Sequence, residues 1–205
     1  MSSGTLFLQS ALIGLSVAAP LGPIGLLCMQ RALESGARYG LVSGLGAASA
    51  DALYALLGAL GTNALMHAFT GIAGPLALAG ALFMLWLGVG MLRAPAASAP
   101  AKTPRTTGLP AAYASVLALT ATNPMTVTTF IAIFAALGSQ QAVAGGTAVF
   151  VSGVFIGSAL WWAVLSFGCA ALRHRINLQI RSGINRAAGA VLVAFAFYKL
   201  AQLAI

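Results

Sequence analysis

The sequence predicts an all-α integral membrane protein whose six transmembrane helices form two inverted three-helix repeats. Hydrophobic residues make up 60% of the chain and charged residues only 6%, whereas soluble domains carry about 25% charged residues. The apolar residues are gathered in long runs, and the few basic residues lie between those runs. This small number of charged side chains cannot cover a water-facing surface. We therefore expect a bilayer to surround most of the chain.

Six apolar segments are long enough to cross a hydrocarbon core of about 30 Å at 1.5 Å per residue. The first of them has no basic stretch before it and continues past Ala19. We therefore expect a retained span and not a cleaved signal peptide. In chain order the six predicted spans are Leu6–Met29, Gly40–Gly61, Ile72–Leu92, Pro110–Leu137, Gly145–Gly168 and Ile184–Ala204.

The basic residues predict how the chain is oriented in the membrane. The connections after spans two and four contain neither Lys nor Arg. The positive-inside rule makes the other connections cytoplasmic and leaves both termini on the non-cytoplasmic side. The net charge of +8 therefore indicates orientation and not a nucleic-acid partner. Nine of the ten basic residues lie in the connections after spans one, three and five: Arg31, Arg38, Arg93, Lys102, Arg105, Arg173, Arg175, Arg181 and Arg186.

One segment divides the chain into two halves of three spans each. Residues 93–110 are rich in Pro, Ala, Ser and Thr, which is typical of a flexible linker. We expect residues 1–92 to form the first three-helix repeat and residues 111–205 the second, within one membrane domain. Because each half has an odd number of spans, the second half must insert upside down.

A weak internal similarity favours the same division. "GLGAASADALYALLGALG", residues 44–61, aligns without a gap on "VSGVFIGSALWWAVLSFG", residues 151–168, and this alignment places Asp51 on Ser158. "LGPIG" in span one likewise aligns with "TNPMT" in span four. Inverted repeats with helices broken at matching positions are typical of secondary transporters.

The matching segments of spans one and four predict two broken helices. A proline inside a helix removes a hydrogen bond and clashes with the preceding turn, whereas a proline in the first turn is favourable. A new helical piece therefore begins near Gly22 and Pro23, just after Pro20, and another near Asn123 and Pro124. Each piece would present free backbone N–H groups and a positive helix end to an anion such as a carboxylate. Proline kinks that serve packing alone are the alternative.

Asp51 is the acidic residue that the sequence places inside a span, near the middle of the bilayer. A carboxylate at that depth should face the bundle interior or a water-filled cavity. It is a candidate carrier of a proton or another cation, or a binding partner for a substrate amine; a single structural hydrogen bond is the alternative. Small polar residues near the breaks and near Asp51 complete the candidate site: Thr122, Thr126 and Ser158.

These residues together resemble the LysE/RhtB family of bacterial amino-acid exporters. The resemblance lies in "PLGPIGLLCMQRALESGARYGLVSGLGAASADALYALLGALG", residues 20–61, and in "TNPMT" of span four. It implies an inner-membrane secondary transporter that exports an amino acid or similar small zwitterion, driven by an ion gradient, with the proton as the expected ion. It also implies a transport core of Pro20, Gly22, Pro23, Asp51, Asn123 and Pro124. The substrate stays open among basic, neutral and other amino acids.

Two other functions are compatible with a helical membrane protein of this size. An exporter of divalent cations would need several oxygen ligands, and one intramembrane acid makes that alternative weak. A thiol–disulfide electron carrier would need paired cysteines, but Cys28 and Cys169 lie far from any such spacing. The sequence has no motif of an enzyme, a metal site or a cofactor site, so we expect neither enzyme activity nor a cofactor. A homodimer is compatible with the sequence, which shows no interface.

Overall fold

The structure of the chain is a computed structural model, and it describes residues 2–20, 22–60, 78–86, 88–90, 92–93, 108–137, 146–172 and 178–204. The described part is helical throughout and contains no strand. Most of the predicted linker, residues 93–110, and the connections after spans two and four lie outside the described residues. In chain order the helices are α1 (Ser3–Ala18), α2 (Pro23–Ser35), α3 (Ala37–Ala59), α4 (Leu78–Gly90), α5 (Leu109–Ala121), α6 (Pro124–Leu137), α7 (Thr147–Leu172) and α8 (Leu178–Ala204).

Two of these helices, α3 and α7, are each long and apolar enough to cross a membrane. The pair α1 and α2 passes the same test if it is counted as one span, which bends by 85° between the two helices. The shorter apolar helices include α4 and α5. The fold is therefore that of an integral membrane protein, with two or three helices of spanning length in the described residues.

Local sequence explains where the first helices begin and end. The hydroxyl of Ser2 caps α1 by accepting the amide of Thr5, at 3.4 Å. α2 begins at Pro23, whose fixed φ and missing N–H suit a first helical position. Gly36 separates α2 from α3 with φ +94°, a backbone conformation that other residues rarely adopt.

One expectation about this region is wrong. The sequence predicts Arg31 in the connection after span one, but α2 continues through Ser35 and Arg31 is buried within it. The segment "QRALES" consists mainly of good helix formers, so nothing in it ends the helix before Gly36.

α3 is the central helix and packs against α2, α5 and α7, while α1 packs against α7. Glycines allow these helices to approach closely. A Cβ at Gly46 would overlap the carbonyl of Tyr113 on α5, and a Cβ at Gly157 would overlap the backbone of Ala11 on α1. Such contacts between small residues and backbone are typical of membrane helices, which gain little from hydrophobic burial against lipid.

Two apolar clusters fill the interior of the bundle. One gathers residues of α1, α2, α3, α4, α5, α7 and α8, among them Ala48 and Trp162. The other gathers residues of α1, α3, α6 and α7, among them Tyr54 and Val154. Along α3 the first cluster precedes the second, and along α7 the order is reversed, so these two helices run antiparallel.

Candidate functional site

A buried carboxylate on α3 forms the centre of the candidate site. Asp51 is 3% exposed and lies fourteen residues after the start of α3 and eight before its end. Its Oδ2 accepts a hydrogen bond of 2.7 Å from the hydroxyl of Ser158 on α7, and Ser158 is fully buried. The two residues that the internal similarity aligned are thus in direct contact.

The Asp51–Ser158 pair is surrounded by apolar residues within the bundle. Ala48 of the first cluster lies one turn before Asp51, and Tyr54 of the second cluster lies one turn after it. On α7, Val154 and Trp162 flank Ser158 in the same way. A buried carboxylate with one hydroxyl donor retains acceptor capacity, so the pair has the chemistry to take a proton or to bind a cationic group.

Tyr54 links Asp51 to the second helix break. The hydroxyl of Tyr54 donates a short hydrogen bond to the carbonyl of Ala121, the last residue of α5. Tyr54 follows Asp51 by one turn, so the break between α5 and α6 lies close to the level of Asp51. The hydroxyl of Thr120 beside it is buried and has no hydrogen-bond partner in the described residues.

At the first break, the positive end of α2 is buried. Pro23, Ile24 and Gly25 begin α2 and are all buried. Pro23 has no N–H, and within the described chain no acceptor contacts the amides of Ile24 and Gly25. A buried helix end whose amides have no partner among the described residues is unusual. A Cβ at Gly22, directly before α2, would meet open space.

The other predicted residues at the first break have different surroundings. Pro20 is exposed in the connection between α1 and α2, and its carbonyl accepts the amide of Gly22 at 3.0 Å. Ile24 and Ala18, on either side of the break, pack in the same cluster as Ala48. The first break therefore borders the same apolar cluster as the turn of α3 that precedes Asp51.

At the second break, the backbone of Asn123 begins α6. Its carbonyl accepts the amides of Thr126 and Val127, at 3.0 and 3.2 Å, and Pro124 is the first residue of the helix. The hydroxyl of Thr122 donates to the carbonyl of Ala118 at 2.8 Å and lies against Gly80 of α4. The structure thus turns Thr122 toward its own helix and α4, and it places the half-buried Thr126 one turn into α6.

Arg31 is a functional candidate that the sequence analysis missed. It is 5% exposed, and its guanidinium donates to Ser43 on α3 and to α5 at Ala112 and Ser115. The signal available in the sequence was its spacing: Arg31 follows Ile24 and Leu27 at helical intervals of seven and four, which places it on their buried face.

Neither alternative function gains support from the described residues. No group of three or more His, Cys, Asp or Glu is arranged there to hold a metal ion. Both cysteines are free thiols; Cys28 is buried in the first apolar cluster and Cys169 is half-buried near the end of α7.

Comparison with known protein families identifies the family of the chain. The family model of the LysE type translocators matches residues 15–202. The chain belongs to the LysE type translocator family. LysE type translocators are transporters, so the expectation that the chain is not an enzyme is confirmed.

Individual relatives of this LysE type translocator come from several bacteria. YcgF of Bacillus subtilis, named as an amino acid efflux protein, is 25% identical over 94% of each chain. The arginine exporter protein ArgO of Pectobacterium carotovorum is 27% identical over 91% of this chain and 92% of its own. The chemotactic transduction protein ChpE of Pseudomonas aeruginosa is 32% identical over 82% of this chain and 81% of its own. No solved structure matches the chain significantly.

Proposed function

We propose that this LysE type translocator exports an amino acid or a similar small zwitterion from the cytoplasm. The observation that carries the proposal is the buried Asp51–Ser158 pair, which lies near two helix breaks in the middle of the bundle. Relatives named as an amino acid efflux protein and an arginine exporter support this class of solute.

The proposed architecture is six spans in two inverted repeats, with both termini on the non-cytoplasmic side. Reciprocal packing supports it: α1 packs on α7, and α5 packs on α3, so the first helix of each half contacts the second span of the other. The contact between Asp51 and Ser158, 107 residues apart, supports it too. Equivalent residues on two helices related by a two-fold axis meet where both helices approach that axis.

In the proposed mechanism, the carboxylate of the solute binds the free amides at the start of α2. The corresponding end of α6, in the second half of the chain, also binds this carboxylate. Asp51 binds either the solute's ammonium group or the coupling ion, which we propose is a proton. The two halves then rock about this central site and expose it to each side in turn.

A panel measurement tests the proposed function. The purified chain is reconstituted in liposomes, and efflux of each radiolabelled amino acid is followed with and without a proton gradient. We expect gradient-stimulated efflux of at least one amino acid, because a carrier of this class couples solute and ion. Efflux no faster than from protein-free liposomes for every amino acid would contradict the proposal and leave a signalling role, as ChpE is named for, as the better candidate.

The open space at Gly22 gives a prediction for the carboxylate site. A Gly22→Val variant should fold normally, because a Cβ at this position meets no atom within 4 Å and φ is −93° there. We expect its apparent affinity for the solute to fall roughly 10- to 100-fold, the effect of losing charge-assisted hydrogen bonds to the carboxylate. Half-saturation of efflux measures this effect. Gly4→Val is the control, because a Cβ at Gly4 also meets open space. Equal affinities in the two variants would show that the solute does not bind at the start of α2.

A further inference from the structure

A buried guanidinium joins three helices on one side of Asp51. Arg31 on α2 donates from Nη1 to the hydroxyl of Ser43 at 2.9 Å and to the carbonyl of Ala112 at 3.0 Å. From Nη2 it donates to the hydroxyl of Ser115 at 3.0 Å. All three acceptors are neutral, and the side chain is 5% exposed.

Among the described residues, no acidic side chain forms an ion pair with Arg31. The whole sequence has two acidic residues, Glu34 and Asp51. Glu34 accepts a hydrogen bond from Gln30, and Asp51 accepts one from Ser158. Neither forms an ion pair with Arg31 in the described part of the chain. A buried cation without a counter-charge is costly in a protein and in a membrane, so an anion supplied by a ligand would stabilise Arg31.

Arg31 lies at a different height along the helix axes from the Asp51–Ser158 pair. Ser43 lies eight residues before Asp51 on α3, and Ser115 lies eight residues before Asn123 at the second break. α3 and α5 run parallel, since Ser43 and Ala112 share Arg31 while Tyr54 meets Ala121. Arg31 is therefore roughly 12 Å from the level of Asp51, measured along the helices. That distance is too long for one α-carboxylate and its neighbouring ammonium to reach both residues together.

We infer that Arg31 binds the carboxylate of the solute at a separate station, on the side of Asp51 that we propose faces the cytoplasm. This inference rests on the proposed function. The guanidinium has five donors in a forked arrangement that suits a carboxylate. Exchanging neutral hydroxyl acceptors for a carboxylate gives shorter and stronger bonds. Because the guanidinium bonds to Ala112 and Ser115 connect α2 to α5, the same exchange loosens α2 from the second half of the chain.

The test compares an amino acid with its carboxamide, which lacks the negative charge of the carboxyl group. Half-saturation of efflux is measured in liposomes for L-arginine and L-argininamide, or for the corresponding pair of whichever amino acid the panel selects. The variants are Arg31→Ala, Arg31→Lys and the control Arg38→Ala, since Arg38 is an exposed arginine in the first turn of α3. Thermal stability in detergent is recorded for each variant.

We expect the wild type to prefer the acid, and Arg31→Ala to weaken binding of the acid roughly 10- to 100-fold while leaving the amide unchanged. Arg31→Lys should keep part of the preference, because a lysine retains the charge without the fork. Arg38→Ala should match the wild type. A weaker Arg31→Ala protein that still prefers the acid to the same degree would overturn the inference, because Arg31 would then only position helices.

Three further outcomes lead to different conclusions. Affinity that follows the anionic-lipid content of the liposomes, and not the carboxyl group of the solute, would assign Arg31 to a lipid phosphate and overturn the inference. If Arg31→Ala does not fold, Ser115→Ala decides: removing a competing acceptor should strengthen binding of the acid alone, and an unchanged ratio of acid to amide contradicts the inference. A wild-type chain that exports no amino acid contradicts the proposed function itself.

Discussion

An Asp51→Asn variant is expected to fold and insert normally but to lose export against a concentration gradient. Asparagine has nearly the shape of aspartate and can still accept the hydroxyl of Ser158, so the contact between α3 and α7 survives. It cannot release a proton or balance a cation. If Asp51 carries the coupling ion, concentrative export disappears; if it binds the ammonium group, affinity falls by about 10- to 100-fold.

Efflux with and without an imposed gradient separates these two results. Ser158→Ala removes the hydrogen bond but keeps the carboxylate, so we expect a smaller loss than in Asp51→Asn. Ser152→Ala is the matched control on the same helix, since Ser152 is exposed and bonds only its own helix at the carbonyl of Val149. Gradient-coupled export by Asp51→Asn at the wild-type rate would rule out a transport role for Asp51.

A Gly157→Ala variant is expected to lose much of its stability. A single Cβ at this position would overlap the backbone of Ala11, which has no flexible end that could move aside. α1 and α7 would have to separate along a contact that also includes Gly153 and Gly14. Overpacking typically costs 1–3 kcal/mol, and we expect this site to lie at the upper end, with a melting temperature lowered by about 6–12 °C.

The matched control is Gly168→Ala on the same helix. A Cβ at Gly168 meets nothing within 4 Å, so the helix propensity of alanine should keep its melting temperature at or slightly above that of the wild type. Thermal unfolding in detergent, followed by size-exclusion chromatography, measures both variants. Equal melting temperatures for the two would show that the contact between α1 and α7 does not depend on close backbone approach.

Much of the local structure follows from individual residues. Pro23 and Pro124 begin α2 and α6 because proline is incompatible with a helix interior but favourable in a first turn. Asp51 is buried because a carboxylate within a span has to avoid lipid. The structure has neither tested nor contradicted the transport roles assigned to these residues, which stay predictions.

Other features of the site could not be predicted from local sequence. Arg31 resembled a loop arginine because positive charge near the end of a span usually faces the cytoplasm. Its burial depends on Ser43, Ala112 and Ser115, which are up to 84 residues away and act as acceptors only once α3 and α5 pack on α2. The hydrogen bond from Tyr54 to Ala121 depends on the same packing.

The sequence by itself determined that the chain belongs in a membrane, where its helices break and which acid is buried. Those properties depend on hydropathy, on proline geometry and on the cost of charge in lipid, which act on each segment separately. Only the tertiary structure decided that Asp51 contacts Ser158 and that Arg31 has no acidic partner among the described residues. Both depend on which helix faces which, and in a membrane that choice follows from glycine contacts and interhelical hydrogen bonds between distant segments.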